Sequence, residues 1–303
     1  MRSSTLSLGL SLLAVVALAG CSAVPDRCPG PPDGWAVYPD PAVAARAPKT
    51  LPRGLRIVTL GSSSTQGTGA SPEATRSYPA QLGRVLNWRH PDAEVEVINK
   101  GIAGEIVTRN LARLNRDVLA LRPDLVVWQV GTNDAIYLGN ATAVMVQVRR
   151  GIRRIRDAGA GLVLISGQPL PNKKLNEPLL AIRNALLEVA KEEKVPVLDR
   201  YKLLEWWETS GTLYPDEIIG PDALHMTDLS YECFARRIAD EVPSLVAALG
   251  LTKARERGPG GPPADAPGTP AGPDGPASDV PEVVAGQGAP EPVAPEPAVP
   301  LGL

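Results

Sequence analysis

The chain has 303 residues, with 31 lysines and arginines against 33 aspartates and glutamates and a net charge of −2. Its basic residues are spread along helix-like stretches rather than gathered in a block, which argues against a nucleic-acid partner. Cys21, Cys28 and Cys233 lack the spacing of a zinc site, and no P-loop or Gly-x-Gly-x-x-Gly fingerprint follows a strand, so neither a cysteine-held zinc nor a nucleotide cofactor is expected.

Residues 1–20 read as an export signal rather than part of a fold. Arg2 gives a short positive start, and Leu6 to Leu18 form an apolar run too short to span a bilayer comfortably. The run closes on Leu18-Ala19-Gly20-Cys21, small residues set just before a cysteine, which resembles the lipobox of bacterial lipoprotein signal peptides. That resemblance implies a lipid on Cys21 and a membrane-anchored, exported protein. Ser22 favours the periplasmic side of an outer membrane. The alternative is an ordinary secretory signal that contains a cysteine. Export means an oxidising compartment, where the two remaining thiols suggest one Cys28–Cys233 disulfide, against the alternative of two free cysteines. Residues 21–52 are rich in Pro, Ala and Gly without a sustained period and read as a tether.

From residue 53 the pattern becomes regular. Arg56–Leu60 is an apolar, β-branched strand, followed by the small turn Gly61-Ser62-Ser63-Ser64-Thr65 and a helix over Tyr78 to Trp88. Glu94–Asn99 is a second strand, and Leu111, Leu114, Val118 and Leu121 fall at helical spacing before Pro123. Asp124–Val130 is a third strand, apolar on both faces as a central parallel strand should be. A helix on Val144, Val148, Ile152 and Ile155, a strand at Leu162–Ser166, a helix on Leu179 to Val189 and a strand at Val195–Asp199 follow. Phe234 to Leu249 gives the closing helix. Such alternation predicts one α/β domain over residues 53–251, a three-layer sandwich on a five-stranded parallel sheet of flavodoxin-like order 2-1-3-4-5. Chemistry is then expected at the carboxyl ends of the strands. Residues 252–303 carry thirteen prolines between Gly258 and Leu303 and few large apolar residues, so a disordered tail is expected.

Four stretches fall at or after strand ends. The serine turn can expose a hydroxyl nucleophile among backbone N–H groups. A glycine in Asn99-Lys100-Gly101-Ile102-Ala103-Gly104-Glu105 lets backbone approach a substrate oxygen and donate its N–H, and Asn133 in Gly131-Thr132-Asn133-Asp134 adds a side-chain amide donor. In Asp222-Ala223-Leu224-His225 the aspartate lies three residues before the histidine, close enough to reach Nδ1 and leave Nε2 as a general base. Taken singly, each has a bland alternative: a solvated serine loop, a turn glycine, a cap, a helix-capping histidine. The only other histidine, His90, sits in a helix-to-strand turn at the opposite end of the sheet.

Together these blocks resemble the SGNH (GDSL-type) hydrolases, over about Arg56 to Leu249. The resemblance implies Ser63 as nucleophile, with Asp222 and His225 as acid and base. It also implies an oxyanion hole formed by the Ser63 N–H, Gly104 and Asn133, and no cofactor. Gly101 is an alternative to Gly104. The family's aspartate in the first block is Ser62 here, so three serines run together and the family register alone selects Ser63 over Ser62 and Ser64.

The expected activity is a serine esterase acting through an acyl-enzyme on carboxylic esters, with short acyl groups on carbohydrate as the first substrate class. A single phenylalanine and no long apolar lid weigh against a long-chain lipase. An O-acyltransferase on envelope glycans and an inactive glycan- or partner-binding lipoprotein are the alternatives. Trp206 and Trp207, in the loop region 205–220, lie where they can wall the site and stack on sugars, although adjacent tryptophans more often pack in a core.

Overall fold

The computed structural model describes residues 27–254. The signal segment, Cys21 and residues 255–303 of the expected tail lie outside the described residues.

Six strands form one sheet: β1 (Ala36–Val37), β2 (Arg56–Gly61), β3 (Glu96–Gly101), β4 (Leu125–Gln129), β5 (Gly161–Ile165) and β6 (Val197–Leu198), in the order β1-β6-β5-β4-β2-β3. The five expected strands are all present, parallel and in the expected order. The sixth is β1, which pairs antiparallel with β6 through Ala36↔Leu198 and Val37↔Val197. Helices α1 (Pro41–Ala44), α2 (Ser63–Gln66), α3 (Glu73–Arg76), α4 (Tyr78–Arg89), α5 (Val107–Arg113) and α6 (Thr132–Tyr137) precede α7 (Ala141–Asp157) and α8 (Lys173–Glu192). They are followed by α9 (Arg200–Thr209), α10 (Pro215–Ile218) and α11 (Asp228–Ala248).

Alternation along the strands builds two cores. Ile57, Leu125, Val127, Val163, Ile165 and Leu198 pack with residues of α4, α9 and α11. Their neighbours Val58, Leu60, Val126, Trp128, Leu162, Leu164 and Val197 pack with residues of α5, α7 and α8. Both faces of β4 are therefore buried, as its unbroken apolar run requires. The second core is tight: a Cβ on Gly151 of α7 would lie 2.3 Å from the Trp128 ring, so only glycine lets this helix reach the sheet.

The boundary at residue 53 needs correction. Residues 28–52 are built into the domain rather than strung out as a tether, because their few apolar residues are spent on contacts too irregular to show a period. Cys28, Trp35 and Leu51 are buried in the first core. β1 covers the free edge of β6, the Asp199 N–H donates to the Trp35 carbonyl at 3.0 Å, and the Tyr38 hydroxyl donates to Glu241 Oε2 at 2.7 Å. The expected disulfide is present: Cys28 is bonded to Cys233 of α11 across 205 positions of sequence. Smaller differences sit at strand ends. β3 begins at Glu96 rather than Glu94, because Glu94 takes a left-handed φ of 49° that no strand accommodates.

A cross-link closing so long a loop restricts the unfolded chain strongly, and constraints of this kind typically contribute about 2–5 kcal/mol. Reduction, or the double variant Cys28→Ala/Cys233→Ala, is expected to lower Tm by roughly 5–15 °C in calorimetry without changing the far-UV circular dichroism of the folded state. Equal Tm for oxidised and reduced protein would contradict the assignment.

Candidate active site

β2 ends at Gly61, and the chain turns at once into α2 with Ser62 as its N-cap residue. The three consecutive serines separate cleanly by their partners. The Ser62 N–H and hydroxyl both donate to Gln129 Oε1, at 3.1 and 3.0 Å, from the end of the neighbouring strand β4. Ser64 Oγ donates to Gln168 Oε1 at 3.4 Å and is buried. Ser63 Oγ has no hydrogen bond among the described residues, and its N–H, at the first turn of α2, likewise has no acceptor. Of the three hydroxyls, only that of Ser63 is free.

The loop after β3 resolves its two glycines in the same way. The Gly101 N–H donates to Asn99 Oδ1 at 2.9 Å, and a Cβ there would lie 2.1 Å from the Gln66 nitrogen, so this glycine serves close packing against α2. Gly104 has φ +77° and open space where a Cβ would stand, and its N–H has no acceptor among the described residues. The loop is pinned on both sides. Gln66 Oε1 accepts from the Ala103 N–H at 2.8 Å. On the other side, Glu105 forms a part-buried ion pair with the buried Arg113 at 2.7 Å, and Arg113 also donates to the Lys100 carbonyl at 2.8 Å.

Asn133 lies at the start of α6, after Gly131 with φ +106°. Its Nδ2 donates one hydrogen to the Glu105 carbonyl at 3.0 Å, which fixes the amide beside the Gly104 loop and leaves the second hydrogen unused. Asp134 holds the same junction by accepting from the Val107 and Gly131 N–H groups at 3.0 and 3.2 Å. Burial pushes its carboxyl above the ordinary range despite those bonds.

His225 and Asp222 belong to a loop closed by the Ile219↔Met226 bridge and by the Gly220 N–H donating to the His225 carbonyl at 2.8 Å. Asp222 Oδ2 lies 2.6 Å from His225 Nδ1, while Oδ1 accepts from the Leu224 and His225 N–H groups at 3.0 and 2.9 Å. This wrap is possible because Ala223 takes a left-handed φ of 56°. Burial pushes the Asp222 carboxyl up, but the bonds from the His225 N–H, its ring and the Leu224 N–H outweigh it, and the group titrates below the ordinary carboxylate value. Nε2 of His225 is buried and has no partner among the described residues.

Gln168 joins the two halves. Its Oε1 accepts from Ser64, next to Ser63, and its Nε2 donates to the Leu224 carbonyl, next to His225. Gly69 adds a second tie, since a Cβ there would stand 3.0 Å from His225 Cβ. The structure thus gathers Ser63, Gly104, Asn133, Asp222 and His225 at the carboxyl end of the sheet. Ser63 Oγ and His225 Nε2 are both without partners and are not hydrogen-bonded to each other, an arrangement common before substrate binds. Cys21 lies outside the described residues.

Gln129, Gln168, Glu105 and Arg113 were not anticipated from sequence, and no local pattern marks them. The tryptophan wall is not formed: Trp207 is fully buried, its Nε1 donating to the Pro29 carbonyl at 2.8 Å, and Trp206 packs half-buried against the first core.

Residues 28–248 match the model of the non-GDSL lipase-like family. An acetylxylan esterase from Geobacillus stearothermophilus is 34% identical over 86 residues, 28% of this chain, and the match spans only 39% of that relative's length. An arylesterase from Vibrio mimicus is 27% identical over 164 residues, 53% of this chain and 80% of the relative. Among solved structures, that of Axe2, an acetylxylan esterase from Geobacillus stearothermophilus, is similar with a TM-score of 0.55 at 21% identity, covering 69% of this chain and all of that one. At that identity the likeness is one of fold.

The lowered titration of Asp222 has a stability consequence with a definite sign. A carboxylate favoured by folding contributes fully above its unfolded value, near 3.8, and its contribution is lost as pH falls through the lower folded value. Thermal unfolding of Asp222→Asn is therefore expected to lie below wild type at pH 6–7, roughly, and to converge with it below about pH 4. A Tm difference independent of pH would contradict the pairing.

Proposed function

The chain belongs to the non-GDSL lipase-like family, among the SGNH/GDSL hydrolases, and on that premise we propose that it is a serine esterase cleaving short-chain O-acyl groups from carbohydrate through an acyl-enzyme at Ser63. The observation that carries this reading is that the Ser63 hydroxyl and the buried Nε2 of His225, held at the same end of the sheet, are both without hydrogen-bond partners among the described residues, while Ser62, Ser64 and Nδ1 of His225 are all bonded.

In this reading Ser63 Oγ attacks the ester carbonyl and passes its proton to His225 Nε2. Asp222, bonded to Nδ1, holds the ring in the tautomer that leaves Nε2 free and stabilises the imidazolium that forms. Negative charge gathers on the carbonyl oxygen, where the N–H groups of Ser63 and Gly104 and the second Asn133 amide hydrogen converge as donors. Collapse expels the alcohol, protonated by His225, and leaves the acyl group on Ser63. Water, deprotonated by the same imidazole, then attacks the acyl-enzyme and releases the acid.

Substrate class rests on less direct support. The name of one relative, an acetylxylan esterase, favours a short acyl group on carbohydrate, and that of the other, an arylesterase, supports ester cleavage without bearing on acyl length. Tyr137 lies one helical turn beyond Asn133 on the same face of α6 and is 65% exposed, which offers an aromatic platform for a sugar ring beside the oxyanion donors. Export, expected from residues 1–20, would bring the enzyme among envelope glycans.

Steady-state assays on p-nitrophenyl esters of increasing chain length are expected to show acetyl turned over faster than longer acyl groups. Ser63→Ala is expected to abolish turnover, and Asn133→Ala to lower kcat by about 10²–10³. Turnover surviving in Ser63→Ala would overturn the assignment of the nucleophile, and a folded wild type inert on the whole series would overturn the esterase reading.

A further inference from the structure

Arg200, the first residue of α9, is fully buried and has no carboxylate partner among the described residues. Its Nη2 makes one long hydrogen bond, 3.4 Å, to Thr132 Oγ1, while Nε and Nη1 are buried with no partner among the described residues. Its remaining surroundings are aromatic. The guanidinium carbon lies 5.9 Å from the Phe234 ring centroid, and Tyr78 and Tyr231 lie within reach of its field. Burial lowers its pKa to about 10, which leaves it protonated at neutral pH.

The contrast with Arg113 is informative. Arg113 is also buried, but it is neutralised by Glu105 at 2.7 Å and Asp117 at 3.6 Å and holds a loop. A buried cation without a counter-charge is costly, and apolar residues of similar size in such places often stabilise a protein. Arg200 is therefore poorly explained by stability. Its one polar contact is to Thr132, the residue next to Asn133, and Tyr78 beside it is bonded to Thr65 at 3.2 Å, two positions after Ser63. The charge thus lies behind two of the three proposed oxyanion donors, next to Asn133 through Thr132 and near the Ser63 turn through Tyr78.

We propose that Arg200 is a positioning residue of this site, supplying through Thr132 and the serine turn a fixed positive potential for the anion that forms on the substrate's carbonyl oxygen. The inference rests on the esterase reading above. The substrate carbonyl is neutral in the ground state and anionic in the tetrahedral intermediate, so a fixed charge in a low-dielectric surrounding favours the second selectively. It acts on kcat and leaves KM nearly unchanged.

Arg200→Met and Arg200→Lys in the full chain, compared with wild type and Ser63→Ala on p-nitrophenyl acetate, test this. Removal of the charge by methionine is expected to lower kcat about tenfold, with KM within about twofold, less than the loss of a direct donor. Tm of the methionine variant should equal or exceed that of wild type, and lysine, which keeps the charge, should retain more of kcat than methionine. A methionine variant with wild-type kcat overturns the proposal while leaving the esterase reading intact. Equal losses in both variants, accompanied by a fall in Tm, overturn it in favour of a packing role. A wild type no more active than Ser63→Ala overturns the esterase reading and this inference with it.

Discussion

The site depends on how closely two parallel strands approach the turn that follows the first of them. Gly61 and Gly101 are register partners at the carboxyl ends of β2 and β3. A Cβ on the first would stand 2.3 Å from Thr65 Oγ1 and 2.8 Å from Gln129 Oε1, and on the second 2.1 Å from the Gln66 nitrogen. Without side chains at this pair, α2 can fold straight back over the sheet edge and present Ser63 where the loops after β3 and β4 also arrive. The strand order supplies the rest: β2 lies between β3 and β4, so the connections diverge around it and open the crevice in which α/β proteins bind their ligands.

Around that crevice the polar groups are arranged so that nearly everything is bonded except what would react. Two glutamines do most of the tying. Gln129 fixes the serine turn from β4, and Gln168 links the turn to the histidine loop. The Glu105–Arg113 pair fixes the Gly104 loop, and the Glu105 carbonyl in turn aligns Asn133. Such bonding costs little when the site forms, because the groups are already held before substrate arrives, and preorganisation of this kind is the main source of electrostatic catalysis. The histidine loop is held from outside as well, by α11, which begins three residues after His225 and carries Cys233 of the disulfide.

Much of this was legible in the sequence because its information is local. Apolar, β-branched runs marked four of the five parallel strands and an alternating Glu–Val pattern marked β3, and right-handed crossovers narrowed their arrangement to the order expected. Asp222 and His225 announce themselves by a three-residue spacing that one turn can close. What remained hidden depends on long-range pairing. Trp35, Ala36 and Val37 lie in a stretch of tether-like composition and become structure only when β6 offers an edge 160 positions later, roughly. Gln129 reads as one polar residue ending a strand, and Gln168 as a loop residue; neither has meaning until the turn after β2 is brought beside it. The resemblance to the family favoured Gly104 over Gly101 and Ser63 over its neighbours, but the physical reason for each choice, which groups already have partners, appears only in the fold. For the adjacent tryptophans the commoner of the two readings holds: Trp207 is turned into the core, its Nε1 donating to the Pro29 carbonyl.

Of the three adjacent serine hydroxyls, only that of Ser63 is free to attack. Labelling the wild-type protein with a fluorophosphonate and mapping the adduct by peptide mass spectrometry tests it most directly. The arrangement predicts a single phosphonylated residue, Ser63, with formation of the adduct strongly slowed in His225→Ala. An adduct on Ser62 or Ser64, or none on a folded protein, would contradict it.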